Sequence, residues 1–209
     1  MTEPSRRPRW PGADLPGRRI FVAAPLPENV SSEITAIVER VREAGAGDGG
    51  RDVRWVRLDG LHLTLRFLGP TLDDRIGAVL DAVRVSAADG HPFQITIGGA
   101  GTFPNDTRPR ALWLGLRSGG EDLAMLAASV DRALAGAGWP PEQKPFRAHL
   151  TLARADGVPA GARVAARLIQ ASAALRIECP IERIGLFESL TGGGPARYEP
   201  IELVRLGSA

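Results

Sequence analysis

The chain has 209 residues, of which 44% are hydrophobic, so it can bury a substantial core in one large domain or two packed lobes. Its 26 basic and 24 acidic side chains leave a formal charge of only +2, which permits an anionic ligand without demanding one. The single cysteine, Cys179, excludes an intrachain disulfide, and no apolar run approaches the roughly 18 residues of a membrane span. These features predict a cytoplasmic protein without membrane contact. We expect a monomer, although nothing in the composition determines the oligomeric state.

The first half of the chain predicts alternating strands and helices behind a leader. Residues 1–17 are rich in Pro, Gly and Arg and predict disorder, so the folded unit should be a single domain over 18–207. In chain order we predict a strand at 19–24, a helix buried through Val30, Ile34, Ile37, Val38 and Val41, strands at 53–58 and 61–68, a helix at 72–86 capped by Thr71, and a strand at 93–98.

The second half repeats this order of elements. We predict a strand at 111–116, a helix at 120–136 buried through Leu123, Leu126, Val130 and Leu134, a strand at 147–153, a helix at about 161–174, and strands near 181–188 and 198–206. Such a repeat indicates an ancient duplication. It predicts an α+β fold, a single bilobal unit with two antiparallel sheets and an approximate two-fold.

The tetrapeptide His-Leu-Thr-Leu occurs once in each half, at 62–65 and at 149–152. Side chains of a strand alternate between its faces, so each histidine shares a face with the threonine two residues later. Strict alternation also puts Arg66 on the histidine face of its strand, whereas Arg154 falls on the opposite face unless a bulge intervenes. Two such strands facing each other would bring two imidazoles and two hydroxyls to one cleft.

This set of side chains suits chemistry on a phosphodiester. Opening a cyclic phosphate needs a base that takes a proton from water and an acid that protonates the departing oxygen. Histidine, with a pKa of about 6.5, can serve as either near neutral pH, and threonine hydroxyls can donate hydrogen bonds to phosphate oxygens. We therefore predict His62 and His149 as the catalytic pair, with Thr64, Thr151 and Arg66 as the phosphate-binding residues.

Two simpler interpretations compete with this one. Each His-x-Thr could be an ordinary half-exposed strand, although two identical copies at matched positions favour a chemical role. The histidines could bind a metal, but neither motif contains Asp, Glu or Cys, so we predict no metal site and no cofactor. Trp113 is predicted to pack in the core, as is Phe21, for which stacking on a base at the cleft is the alternative.

With these motifs the sequence resembles the two-histidine phosphoesterase superfamily, and within it the RNA 2′,3′-cyclic phosphodiesterases once described as 2′–5′ RNA ligases. The resemblance runs from about residue 18 to 206. It rests on the paired His-x-Thr motifs and on flanking blocks: RRIFVAAPLP at the start, LHLTLRFLG in the first half, ALWLGL and KPFRAHLTLAR in the second, and RYEPI near the end.

The resemblance implies two similar lobes around a central cleft, with the helices outside. It also implies metal-independent hydrolysis of the 2′,3′-cyclic phosphate at RNA 3′ ends to a 2′-phosphate. By position, His62 would be the proton donor and His149 the acceptor, with Thr64 and Thr151 holding the phosphate. Two alternatives stay open: another two-histidine activity, on 2′–5′ linkages or small cyclic nucleotides, and a non-catalytic module that binds RNA ends. No obligate protein partner is predicted.

Overall fold

The computed structural model describes residues 16–45, 53–155, 159–192 and 194–207, so the predicted leader lies outside it except for its last two residues. The helices are α1 (Glu28–Glu43), α2 (Asp73–Ala88), α3 (Gly120–Gly136) and α4 (Pro159–Ser172). The strands are β1 (Arg18–Pro25), β2 (Arg54–Trp55), β3 (His62–Thr71), β4 (Phe93–Phe103), β5 (Ala111–Ser118), β6 (Leu150–Arg154), β7 (Ile177–Ile181), β8 (Arg183–Leu190) and β9 (Arg197–Arg205).

The strands form two antiparallel sheets. The first sheet has the order β3-β1-β8-β9, and the second has the order β2-β6-β5-β4-β7. Helices α2 and α3 pack against the first sheet, while α1 and α4 pack against the second. The predicted α+β fold with two antiparallel sheets is therefore confirmed.

The two lobes do not coincide with the two halves of the sequence. The first sheet joins β1 and β3 to the C-terminal strands β8 and β9, and the second takes β2 and β4 from the first half. The order β3-β1-β8-β9 nonetheless matches β6-β5-β4-β7, with each motif strand at the same place in its sheet. The duplication is thus visible as a pair of equivalent sheets that have exchanged strands.

Periodic apolar residues were sufficient to predict the helices. All five residues of the α1 stripe are at most 3% exposed, and the four inward residues predicted for α3 are also buried. Burying a large aliphatic side chain contributes about 1.5–3 kcal/mol, so each stripe alone accounts for several kcal/mol of packing. Among the described residues, no helix is long and apolar enough to cross a membrane.

Three local predictions were wrong. The strand predicted at 53–58 is only Arg54–Trp55, because a 3₁₀ turn at Leu58–Gly60 follows it closely. Thr71 does not cap α2, since its hydroxyl donates back to the Gly69 carbonyl. The third error is an omission, because the strand predicted near 181–188 corresponds to β8 and no strand was predicted for β7. Strand β7 contains Pro180, which an edge strand tolerates because one side of its backbone has no partner strand.

Candidate active site

His62 begins strand β3, with only Leu61 between it and the 3₁₀ turn at Leu58–Gly60. Its Nδ1 lies 2.8 Å from the Gly60 carbonyl oxygen. A carbonyl can only accept, so Nδ1 carries a proton and donates it. Nε2 of the neutral ring is therefore the unprotonated nitrogen, able to accept a proton and, once protonated, to donate it.

His149 immediately precedes strand β6 and is held in the same way. Its Nδ1 lies 2.7 Å from the carbonyl oxygen of Arg147, again two residues earlier in the chain. The two histidines thus share the backbone hydrogen bond and the tautomer that it selects. Both rings present Nε2 as the nitrogen available for proton transfer.

An aromatic cage surrounds the His62 ring. Its centroid lies 4.8 Å from that of Phe21, 4.7 Å from that of Tyr198 and 6.3 Å from that of Phe187. Burial in this cage lowers the pKa of His62; the bond to Gly60 opposes this, and the nearby charge of His149 lowers it further. Strands β3 and β6 also approach each other between the two sheets, so the two motif strands lie close together.

The surroundings of His149 are aromatic on one side and cationic on the other. The ring of Phe103 meets it edge to face with centroids 5.0 Å apart, and the Trp113 centroid lies 6.4 Å away. Burial is the main cause that lowers the pKa of His149, the bond to Arg147 opposes it, and the positive charge of Arg154 adds to the lowering. Both histidines therefore favour the neutral form near pH 7.

The threonines lie where strand alternation predicts them. Thr64 is paired with Ala23 of β1 and Thr151 with Trp113 of β5, and both side chains are partly exposed. The leucines on either side of each threonine are buried in the core, so the threonines share a face with the histidines. We call the space between these two faces the cleft; it is lined by His62, Thr64 and Phe21 on one side and by His149, Thr151 and Trp113 on the other.

Each motif strand contains a β-bulge immediately after its threonine. In β3 the register steps from the pair of Thr64 and Ala23 to the pair of Arg66 and Val22, which leaves Leu65 without a partner. In β6, Leu152 is skipped in the same way between the pairs made by Thr151 and by Ala153. One extra residue reverses the facing of every side chain that follows it.

The first bulge removes Arg66 from the cleft. Its partner Val22 belongs to the main core, and its own side chain is only 8% exposed. Its guanidinium reaches Glu142 at 2.6 Å, Asp131 of α3 at 3.3 Å and the Pro140 carbonyl at 2.6 Å. The prediction that Arg66 lies on the histidine face was wrong, and we do not propose it as a phosphate ligand.

The second bulge turns Arg154 towards the cleft. Ala153 before it is fully buried, whereas Arg154 is exposed and its charge acts both on His149 and on Arg19 of the other sheet. Strict alternation missed this residue. The available signal was the pair Leu152–Ala153, two consecutive apolar residues where an alternating strand would place one.

Two aromatic residues that were predicted to pack in the core line the cleft. Phe21 is 3% exposed, but it belongs to a separate small cluster with Ala23 and Phe187 rather than to the main core. Trp113 is partly exposed, and its neighbours Leu112 and Leu114 point into the core on the other face. Phe21 therefore packs and lines the cleft at once, and the core-packing prediction for Trp113 was wrong.

Other chemically reactive groups are few in the described ranges. Within 16–45, 53–155, 159–192 and 194–207, no three His, Cys, Asp or Glu side chains lie close enough together to hold a metal ion. Cys179 is buried in strand β7, and burial raises the pKa of its thiol to about 12. The thiol stays protonated at neutral pH and is a poor nucleophile.

Comparisons with known proteins agree on one family. A family model described as the 2′-5′ RNA ligase superfamily matches residues 26–193. An RNA 2′,3′-cyclic phosphodiesterase of Methanothermobacter thermautotrophicus is 30% identical over 90% of this chain and 98% of its own length. A protein of the same name from Archaeoglobus fulgidus is 33% identical over 65% of this chain and 72% of its own.

Solved structures show the same fold. E. coli LigT in complex with 3′-AMP superimposes with a TM-score of 0.68 at 25% identity, covering 91% of this chain and 99% of LigT. A protein of Thermus thermophilus gives a TM-score of 0.70 at 26% identity, covering 90% of this chain and 98% of that protein. The likeness extends over both lobes.

Proposed function

Since the chain belongs to the 2′-5′ RNA ligase superfamily, we propose that it hydrolyses the 2′,3′-cyclic phosphate at RNA 3′ ends to a 2′-phosphate without a metal ion. The family predicted from the paired motifs is confirmed by the matching family model. The observation that carries the proposed activity is the matched pair of histidines, each with Nδ1 bonded to the carbonyl two residues earlier and Nε2 left for proton transfer. The relatives named RNA 2′,3′-cyclic phosphodiesterase support the choice of substrate.

The reaction uses the two rings in opposite protonation states. Nε2 of His149 takes a proton from water as the water oxygen attacks phosphorus, and the bond from phosphorus to the 3′ oxygen breaks. Nε2 of His62 gives its proton to that departing oxygen, which leaves the phosphate on the 2′ oxygen. Because both pKa values are low in the free protein, the anionic substrate favours protonation of one ring as it binds.

The cleft also offers groups that can hold the phosphate. The Thr64 and Thr151 hydroxyls lie on the histidine faces of their strands, and Arg154 adds a positive charge beside His149. Hydroxyl donors and a guanidinium stabilise the negative charge that collects on the non-bridging oxygens in the transition state. We therefore assign Arg154 the phosphate contact that strict alternation predicted for Arg66.

Replacing either threonine with valine is expected to lower kcat/KM for a 2′,3′-cyclic phosphate by about 100-fold. Valine keeps the shape of the side chain but removes the donor, and loss of one such donor costs roughly 10²–10³ in rate. Serine at either position keeps the hydroxyl and should retain most of the activity. Steady-state kinetics of Thr64→Val, Thr151→Val and the two serine variants measure this; equal activity of the valine and serine variants would contradict it.

The pH dependence of kcat/KM should be bell-shaped with its maximum below pH 6.5. The active form carries one proton on the two rings, so activity rises through the lower pKa and falls through the higher one. Both values lie below the usual value of about 6.5 because of burial, so both limbs shift to acid.

Removing the charge of Arg154 tests whether His149 is responsible for one limb of this pH profile. Because that charge lowers the pKa of His149, Arg154→Gln should move one limb to higher pH. A profile that stays flat through neutrality in the wild-type protein would rule out the paired-imidazole mechanism.

The activity itself is tested with a short RNA ending in a 2′,3′-cyclic phosphate, incubated with the protein in EDTA. Conversion to a 2′-phosphate, identified against 2′- and 3′-phosphate standards, is the expected result. Loss of turnover in EDTA would refute metal independence. Absence of turnover in all conditions, with RNA still bound, would favour the binding module.

We propose further that the protein acts as a cytoplasmic monomer. The described residues hold the histidine–threonine motifs of both sheets within one chain, so a single copy supplies both faces of the cleft. Size-exclusion chromatography with light scattering should give one chain per particle.

A further inference from the structure

We propose that Trp113 is a stacking platform for the base of the terminal nucleotide, a role that rests on the function proposed above. It would make the protein selective for a nucleotide over a cyclic phosphate without a base.

The indole lies on the cleft side of strand β5. Leu112 and Leu114, on either side of it in the strand, are fully buried in the core, so Trp113 points the other way. The side chain is partly exposed there. It is therefore a large aromatic group at the surface of the cleft, where water or a ligand can reach it.

Two glycines hold the ring flat against the sheet. A Cβ at Gly101, opposite Trp113 on β4, would lie 2.5 Å from Cη2 and Cζ2 of the indole. A Cβ at Gly115, two residues along β5, would lie 3.2 Å from Cζ3. The six-membered ring thus rests on backbone at both places. A side chain at Gly101 would clash with it, and one at Gly115 would press it away by a few tenths of an ångström. One face of the ring meets the sheet, which leaves the other for the cleft.

The buried indole nitrogen indicates that packing alone does not explain a tryptophan at this position. Its Nε1 is buried, and no residue in the described ranges accepts a hydrogen bond from it. A buried Trp N–H usually finds a partner, because a buried donor without one destabilises the fold. Phenylalanine would fill this space without that cost, so the extended ring itself is the useful feature.

The platform lies beside the groups that we assign to the phosphate. Trp113 is directly paired with Thr151, and neighbouring strands run about 4.8 Å apart. Its ring centroid is 6.4 Å from that of His149 and 5.2 Å from that of Phe103, which extends the aromatic surface. A nucleotide whose phosphate contacts Thr151 can therefore lay its own base on the indole.

Stacking of this kind is tolerant of base identity. Every base has a π face, and base–aromatic stacking contributes about 1–3 kcal/mol per base, or roughly 5- to 150-fold in affinity. The platform thus predicts little discrimination between the bases and a clear preference for substrates that have one.

The test compares adenosine 2′,3′-cyclic phosphate with methyl ribofuranoside 2,3-cyclic phosphate, which has no base. Trp113→Leu should lower kcat/KM about 10- to 100-fold for the adenosine substrate and less than 2-fold for the base-free one. Trp113→Phe keeps an aromatic face but a smaller one, so it should restore only part of the loss. Trp139→Phe is the matched control, because that indole stacks on the Arg75 guanidinium 4.3 Å away rather than on the cleft.

Gly101→Ala provides a second variant that leaves the indole in place. Its Cβ would displace the ring from the sheet, so the same base-dependent loss is expected. Gly77→Ala in α2 is the control, because a Cβ there meets no atom within 4 Å. Equal losses on both substrates, or no loss on either, would overturn the platform.

Binding without turnover separates this inference from the proposed reaction. Adenosine 3′-monophosphate should quench tryptophan emission in the wild type and in Trp139→Phe, but not in Trp113→Phe. If the wild type hydrolyses neither substrate, the proposed function fails while quenching still decides the platform. Quenching that persists in Trp113→Phe would refute the platform whatever the activity.

Discussion

Alanine in place of His62 or of His149 is expected to lower kcat/KM for a 2′,3′-cyclic phosphate by about 10²–10⁴-fold. Each ring handles one of the two protons that move in the reaction, and general acid–base catalysis contributes roughly that factor per group. Neither loss should be compensated by the other ring, because both present only Nε2 to the cleft. Steady-state kinetics in EDTA give the result directly.

The third histidine is the matched control. His91 is exposed and precedes the start of β4, so His91→Ala removes the same side chain without touching the cleft. It should keep wild-type activity. A catalytic-site variant that retained more than a tenth of the wild-type rate would contradict its assigned role.

The His62→Ala variant should lose both stability and catalysis, so a second variant is needed to distinguish the two effects. The His62 ring packs among Phe21, Tyr198 and Phe187, so alanine leaves a cavity as well as removing a base. His62→Gln fills more of the space but cannot transfer a proton at neutral pH. The expected result is the same loss of turnover with a melting temperature nearer that of the wild type.

A pair of arginine variants should separate stability from activity. Arg66→Ala is expected to lower the free energy of unfolding by about 2–4 kcal/mol, because it strips Glu142 and Asp131 of a nearly buried partner. The value is below that of a fully buried pair, since these carboxylates are 45% and 27% exposed. The melting temperature should fall by roughly 5–15 °C, with KM unchanged.

Arg154→Ala should lower activity and leave the free energy of unfolding nearly unchanged. Its side chain is exposed, so stability should hardly change, whereas loss of a charge-assisted contact should lower kcat/KM about 10- to 100-fold. Arg154→Lys keeps the charge and should recover part of the activity. Thermal melts and kinetics on both variants check the assignment. A rise in KM for Arg66→Ala with an unchanged melting temperature would show that the first bulge has been misplaced.

The elements that could be predicted from sequence are those set by local periodicity. The α1 stripe from Val30 to Val41 and the bounds of α3 agree with the structure because a helix must bury one face, and the 3.6-residue period shows it directly. Strand alternation likewise placed the threonines with their histidines. These features could be predicted because each depends only on residues within a few positions along the chain.

The facing of Arg66 and Arg154 could not be obtained in that way. A bulge depends on how a strand pairs with its neighbour. Leu65 looks like an ordinary member of an alternating strand, and the pair Leu152–Ala153 departs from alternation without showing which residue is skipped. Since one extra residue reverses the side chains that follow it, one bulge in each motif strand was enough to exchange the predicted positions of the two arginines.

By itself, the sequence of this protein determined its helices, its two motif strands and the residue types that acid–base chemistry requires. Its tertiary structure decided which strands share a sheet, which arginine reaches the cleft, and that aromatic rings enclose His62 and lie beside His149. The physical reason is that the two kinds of feature depend on interactions over different distances along the chain. Periodicity acts over a few residues, whereas sheet pairing, bulges and the burial that lowers both histidine pKa values join residues far apart in the chain.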